Sequence, residues 1–176
     1  MNKTLAFAAA AGLALCIAAP ALAALPVGAP APDFKSTVAL AGKDTAFDLA
    51  AARKKGPVVL YFFPAAFTAG CTAEAHEFAE ATADFNKAGA TIVGMTAGNI
   101  DRIAEFSKVE CRDKFAVGAA SADVIKAYDV ANATRAGMTG RVSYVIGKDG
   151  KVAYVHNDPN FAGHVSGALA AVQKMK

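Results

Sequence analysis

Cys71 is the residue of this sequence whose position most clearly suggests chemistry. It follows a strongly apolar run at residues 57–63 and a short loop, and it lies where a helix is predicted to begin. Unpaired backbone N–H groups and the helix dipole at such a position favour a thiolate over a thiol. The side chain could pack as a small hydrophobe, bind a metal, form half of a disulfide or act as a nucleophile.

Three residues near Cys71 fit a reactive thiol. Thr68 supplies a hydroxyl that can donate a hydrogen bond to a bound oxygen or accept one from it. Gly70 lets the backbone approach closely, and Pro64 ends the strand and stiffens the loop. Together these residues predict a small binding site that holds a polar oxidant against the thiolate.

The elements that must position these residues alternate between strands and helices. The sequence predicts strands at residues 34–40, 45–47, 57–63, 90–96, 115–121 and on both sides of a turn at 147–150, and helices at 49–54, 71–87, 100–110, 122–128 and 161–175. The order β-β-α-β-α-β-α-β-α-β-β-α indicates an α/β fold with a mixed central sheet, helices on both faces and an N-terminal β-hairpin.

Helical periodicity predicts which side chains of these helices face the core. In the helix that begins near Cys71, Phe78 lies on the apolar stripe and Glu74 is expected on the surface. In the next helix, Phe106 and Val109 are expected to point inward.

The N-terminus predicts export. Residues 1–23 carry a cation at Lys3, then an apolar run and a small-residue pattern that ends at Ala23, which is typical of a cleavable signal peptide. The apolar run is short for a membrane anchor. We therefore expect a signal peptide at residues 1–23 and one domain at 24–176, in a periplasmic or otherwise exported protein with no membrane segment after cleavage. The net charge of +3, with no dense basic run, gives no reason to expect a nucleic-acid partner.

The cysteines could also form a disulfide, exchange disulfides with another protein or bind a metal. Cys16 leaves with the signal peptide, and the two remaining cysteines would meet an oxidising compartment in which pairing is common. No CxxC supports thioredoxin-type exchange. A metal site is disfavoured because Cys71 and His76 do not share a helix face, and neither His156 nor His164 has a spacing that converges on Cys71.

The pattern P-x-x-x-T-x-x-C, here Pro64, Thr68 and Cys71, resembles the active-site motif of the peroxiredoxins. The longer stretch at residues 61–78 resembles their Q-type branch, also called bacterioferritin comigratory protein, and the resemblance runs from about residue 30 to the C-terminus. It implies a thioredoxin-like fold and a thiol-dependent peroxidase that reduces hydrogen peroxide and small organic hydroperoxides, without a metal, flavin or haem cofactor.

The resemblance also implies roles for individual residues. Cys71 would be the peroxidatic cysteine, and Arg141 and Glu74 match the active-site arginine and the glutamate of the catalytic helix. With Thr68 they would bind the peroxide, and Pro64 would shield the thiolate. The common resolving position holds His76 in this sequence.

Some members of the branch place the resolving cysteine on the following helix, which favours Cys111 as the resolving residue. A one-cysteine enzyme in which Cys111 takes no part remains the alternative. The resemblance implies a thioredoxin-like dithiol reductant as partner and a monomer or weak dimer.

Two other classes of function remain open at this point. One is a peroxide-responsive redox sensor, or a thioredoxin-like thiol–disulfide protein, without efficient turnover. The other is a structural domain with a static disulfide.

Overall fold

A computed structural model describes residues 24–175 of the chain, so the signal peptide expected at 1–23 lies outside the described residues. The strands are Lys35–Leu40 (β1), Lys43–Asp48 (β2), Val58–Phe62 (β3), Thr91–Thr96 (β4), Ala116–Ala119 (β5), Val142–Ile146 (β6) and Val152–Asn157 (β7). They form one sheet in the order β2-β1-β5-β4-β3-β6-β7. β4 pairs in parallel with β3 and with β5, and the other neighbours pair antiparallel. The mixed sheet expected from the sequence is therefore confirmed.

Helices cover both faces of this sheet. They are Leu49–Lys55 (α1), Ala69–Lys87 (α2), Ile103–Val109 (α3), Ala122–Ala127 (α4) and His164–Gln173 (α5). Buried residues of α2, α3 and α5 belong to one hydrophobic core, and buried residues of α1 and α4 belong to the other. Within the described part of the chain, no helix is long and apolar enough to cross a membrane.

Strand β3 is buried along its whole length because it lies between β4 and β6 with helices above and below. Its side chains alternate between the two cores, as a strand requires. Tyr61 points toward α2, where its ring stacks on Phe78 with 4.3 Å between the centroids. The ring passes over Gly94 of β4, and a Cβ there would lie 2.6 Å from a ring carbon. Glycine at that position lets the aromatic side chain of β3 lie flat against the sheet.

The N-terminal hairpin has a tighter turn than the sequence suggested. β2 already begins at Lys43, so only Ala41 and Gly42 connect it to β1. Both have positive φ values, 53° and 76°. A two-residue hairpin turn requires such values when its twist matches the twist of the strands. Asp48 caps the short helix that follows, since its carboxylate accepts a hydrogen bond from the Ala51 N–H at 3.0 Å.

Two expectations about side chains in the helices were wrong. Val109 is 53% exposed. It is the last residue of α3 and lies about 60° around the helix from the buried Phe106, which places it outside the narrow apolar face of this helix. Glu74 is fully buried instead of lying on the surface. Its partner is Arg141, which immediately precedes β6, and helical periodicity cannot reveal such a long-range pair.

Candidate active site

The loop between β3 and α2 is fixed at its start by two buried hydroxyl groups. Thr139 Oγ1 donates a hydrogen bond to the Phe63 carbonyl at 2.5 Å, and Thr96 Oγ1 donates one to the Pro64 carbonyl at 3.1 Å. Both threonines are completely inaccessible to solvent. The backbone on each side of the Phe63–Pro64 bond is therefore held in one position. Sequence reasoning missed both threonines, which have no motif of their own.

The middle of the same loop is tied to the chain that leads into α3. The Ala66 amide donates to the Gly98 carbonyl at 3.1 Å, and Asn99 Nδ2 donates to the Ala66 carbonyl at 2.8 Å. Phe67 has a φ of 60°, an uncommon conformation for an aromatic residue, and the guanidinium of Arg102 lies 4.0 Å above its ring. These contacts hold a strained loop in the shape that presents Thr68.

Thr68 is the N-cap of α2, and its hydroxyl donates a hydrogen bond to the Ala65 carbonyl at 3.0 Å. The helix starts two residues earlier than expected, at Ala69, so Cys71 is the third helical residue. It still lies in the first turn, where N–H groups have no partner within the helix. The positive end of the helix dipole is therefore close to the Cys71 sulfur. That side chain is 1% exposed.

Arg141 is brought to Cys71 by the strand pairing that places β6 beside β3. Its Nη2 donates to the Cys71 sulfur at 3.5 Å, its Nη1 donates to the Glu74 carboxylate, and its Nε donates to the Pro159 carbonyl at 3.0 Å. The guanidinium is almost completely buried. Three separate acceptors thus fix its orientation, and one of its N–H groups points at the sulfur.

Glu74 lies one turn from Cys71 on α2, beneath the guanidinium. Burial raises the pKa of Glu74 to about 8, and the positive charge of Arg141 opposes that shift. The role of Glu74 in peroxide binding stays a prediction. In the structure its carboxyl group forms a buried pair with Arg141. Its position suits it to orient the arginine.

A second layer of polar groups lies behind this pair. His164 Nε2 is 3.0 Å from the Asp158 carbonyl, which can only accept, so this nitrogen carries the proton. Nδ1 then accepts a hydrogen bond from the Ser143 hydroxyl at 2.8 Å and lies 3.7 Å from Glu74 Oε1. Burial lowers the pKa of His164 to about 4, so the ring is neutral near pH 7. His164 is the buried first residue of α5, and its approach to Glu74 gave no sequence signal.

Cys111 lies two residues beyond the end of α3 and is fully buried. Its backbone N–H donates to the Phe106 carbonyl at 3.0 Å. Burial, and then the nearby charge of Glu110, raise the pKa of its thiol well above the usual range. Cys71 and Cys111 belong to the same hydrophobic core, and both are free thiols. Cys111 therefore lies on the same face of the sheet as Cys71, as a protonated thiol that is shielded from solvent.

Among residues 24–175, no group of three or more histidine, cysteine or acidic side chains could hold a metal ion. The polar groups that converge on Cys71 are a guanidinium, a helix N-terminus and a threonine hydroxyl. They suit a small, polar, partly anionic oxygen compound better than a cation.

Comparisons with known proteins agree with this site. Residues 27–155 match the AhpC/TSA family. The chain is 32% identical over 124 residues to chloroplastic peroxiredoxin Q of Sedum lineare, covering 70% of this chain and 67% of that protein. A chloroplastic peroxiredoxin Q of rice is 33% identical over 105 residues, which cover 60% of this chain and 48% of the relative, so the match spans about half of the rice protein.

Solved structures give the same result for the fold. The crystal structure of peroxidoxin BcpB from Mycobacterium tuberculosis superposes with a TM-score of 0.75 at 28% identity, covering 85% of this chain and 97% of that one. The fold is therefore that of the thioredoxin-like peroxiredoxins, as the resemblance implied. The chain belongs to the AhpC/TSA family, among the Q-type peroxiredoxins.

Proposed function

We propose that this protein is a thiol-dependent peroxidase in which Cys71 reduces hydrogen peroxide and small organic hydroperoxides. The observation that carries the proposal is the Arg141 guanidinium, which donates to the Cys71 sulfur at 3.5 Å at the N-terminus of α2. A cation and a helix N-terminus both favour a thiolate, which is the nucleophilic form of cysteine. The family membership supports the same chemistry.

In the first step the Cys71 thiolate attacks the distal oxygen of the peroxide, the one that carries the hydrogen, and the O–O bond breaks. The sulfur becomes a sulfenic acid. The other oxygen leaves as an alkoxide, or as hydroxide when the substrate is hydrogen peroxide, and takes up the proton that Cys71 lost, which gives an alcohol or water. Arg141 stabilises the charge that develops on the leaving oxygen. Thr68 orients the peroxide, Pro64 shields the thiolate, and Glu74 fixes the arginine.

In the second step Cys111 acts as the resolving residue. Its thiolate attacks the Cys71 sulfur, the S–O bond breaks, and the departing hydroxide takes up the proton that Cys111 has lost. The products are a Cys71–Cys111 disulfide and water. A thioredoxin-like dithiol protein of the exported compartment then reduces the disulfide by exchange. We further propose that the mature protein, residues 24–176, works in the periplasm or outside the cell as a monomer or weak dimer.

One experiment separates these steps. Reduced mature protein is treated with one equivalent of hydrogen peroxide, and intact masses are recorded for wild type and for Cys111→Ser. We expect wild type to lose two hydrogens and the variant to retain one added oxygen at Cys71. Absence of any reaction at Cys71 would overturn the peroxidase assignment. A stable sulfenic acid in wild type would overturn only the role of Cys111.

Turnover distinguishes an enzyme from a peroxide sensor. With a dithiol reductant in excess, the peroxidase is expected to consume many equivalents of peroxide per protein molecule. Consumption of a single equivalent, followed by a stable oxidised form, would favour the sensor.

A further inference from the structure

Two ion pairs join helix α2 to the residues on both sides of Cys111. His76 Nε2 lies 2.7 Å from Glu110 Oε2, and Arg112 Nη1 lies 3.2 Å from Glu80 Oε1. His76 and Glu80 are four residues apart, so they lie one above the other on the same helix face. Both backbone neighbours of Cys111 are thus attached to a single face of the catalytic helix.

The backbone immediately after Cys111 is strained. Arg112 and Asp113 have φ values of 52° and 60°, the left-handed region that residues with a side chain adopt reluctantly. The Asp113 amide donates to the Ser107 carbonyl at 3.3 Å, and the Lys114 amide donates to the Cys111 carbonyl at 2.9 Å. Two consecutive strained residues favour opening of this segment, and the ion pairs oppose it.

In its described position Cys111 is poorly suited to attack a sulfenic acid. Its side chain is inaccessible to solvent, and burial together with the charge of Glu110 disfavours its thiolate. Disulfide exchange chemistry requires the thiolate. The segment at residues 110–113 must therefore leave α2 before Cys111 reacts, and the ion pairs must break when it does.

We propose that His76 and Glu110 are positioning residues that hold the Cys111 segment on α2, so that loss of their contact speeds disulfide formation. This inference rests on the proposed function, because it concerns its second step. The contact between His76 and Glu110 must break when the segment opens, so removing it should make opening more frequent. The chemistry is the condensation described above, with a disulfide and water as products.

Few other charges face His76. Glu80 and Glu77 are its titratable neighbours on α2, and Glu110 and Arg112 face it from the end of α3. β4 and α5 also pack on α2. β4 has no titratable side chain, and α5 has only His164, which faces Glu74. The acidic side chain in direct contact with His76 is therefore Glu110.

His76→Ala is the most informative variant, because alanine suits a helix and removes the ring that contacts Glu110. Reduced wild type and variant are mixed with one equivalent of hydrogen peroxide, quenched in acid at short times and analysed by mass spectrometry. The sulfenic acid and the disulfide differ in mass, so oxidation of Cys71 and disulfide formation give separate rates.

We expect His76→Ala to form the disulfide about two- to fivefold faster than wild type at the same pH, the factor typical of one partly exposed pair. Oxidation of Cys71 itself should be unchanged. Glu80→Gln, which removes the other pair, should accelerate disulfide formation by a similar factor.

Asp33→Asn is the matched control. It removes an ion pair of similar geometry, with Arg53 at 3.0 Å, from α1 on the opposite face of the sheet. Its disulfide should form at the wild-type rate. A rate of disulfide formation in His76→Ala equal to that of wild type, or the same acceleration in Asp33→Asn, would overturn the positioning role. Failure of wild type to oxidise Cys71 or to form the disulfide would instead overturn the proposed function.

Discussion

Replacing Arg141 tests whether the buried guanidinium activates Cys71. A single Arg141→Gln change is ambiguous, because it leaves the Glu74 carboxyl buried without its partner, and losing one member of a buried pair destabilises a protein by about 3–5 kcal/mol. The double change Arg141→Gln with Glu74→Gln removes both charges. It leaves two amides that can hydrogen bond to each other, so the fold should survive.

The magnitude follows from the distance between Nη2 and the sulfur. At 3.5 Å and an effective dielectric constant of about 20, attraction between a guanidinium and a thiolate is about 5 kcal/mol. Loss of one activating donor in an enzyme site typically costs about 3 kcal/mol, since other groups compensate in part. We therefore expect the double variant to react with peroxide about a hundredfold more slowly than wild type.

The assay is the second-order rate of Cys71 oxidation, measured in the Cys111→Ser background so that only one thiol reacts. Urea unfolding of each protein shows whether the fold is retained. Glu74→Gln alone keeps the guanidinium beside the sulfur, and its rate should stay within about tenfold of wild type. If the folded double variant reacts within about threefold of wild type, then Arg141 does not activate Cys71, and the reasoning from its position is refuted.

Three further predictions concern neighbouring residues. Between pH 7.5 and pH 5 wild type should lose about 2 kcal/mol of unfolding free energy relative to His164→Gln, because the unfolded chain protonates His164 near pH 6.5 while the folded chain resists until about pH 4. Urea titrations of both proteins measure this difference, and a difference that does not change with pH would contradict it. Gly70→Val should slow peroxide reduction at least tenfold, since even a Cβ would lie 3.3 Å from Arg141 Nη2; an unchanged peroxidase rate would contradict that crowding. Tyr61→Phe should leave the midpoint of urea unfolding unchanged or raise it, because the Tyr61 hydroxyl is buried without a hydrogen-bond partner; a loss above about 1 kcal/mol would show that the hydroxyl is paired.

Much of the fold follows from local patterns in the sequence. The run at residues 58–62 is apolar at every position, which is typical of a strand covered on both faces. Strand β3 is buried throughout, as this pattern predicts. Alternation of strands with helices gave the correct element order. The position of Cys71 after β3 and in the first turn of a helix also depends only on nearby residues, so it could be predicted.

The contacts that organise the site could not be predicted in the same way. Arg141 and Glu74 are far apart in the sequence and meet only because β6 pairs with β3 beneath α2. Helical periodicity predicted that Glu74 lies on the surface, because a periodicity argument assigns every charged residue to the solvent face and contains no information about partners from other elements. His164 and Ser143 likewise come together only through packing of α5 on β6. The resemblance to the peroxiredoxins placed Arg141 and Glu74 in one active site, but the ion pair between them depends on the tertiary fold and could not be derived from local patterns.

Turnover of peroxide by a Cys71→Ser variant tests the central claim most directly. Full mature protein is incubated with hydrogen peroxide and excess dithiothreitol, and the remaining peroxide is measured over time against wild type. Wild type is expected to remove peroxide catalytically, and Cys71→Ser should remove it no faster than dithiothreitol alone, because the serine hydroxyl cannot replace the thiolate. Removal of peroxide by folded Cys71→Ser at the wild-type rate would contradict the assignment of Cys71 as the peroxidatic residue.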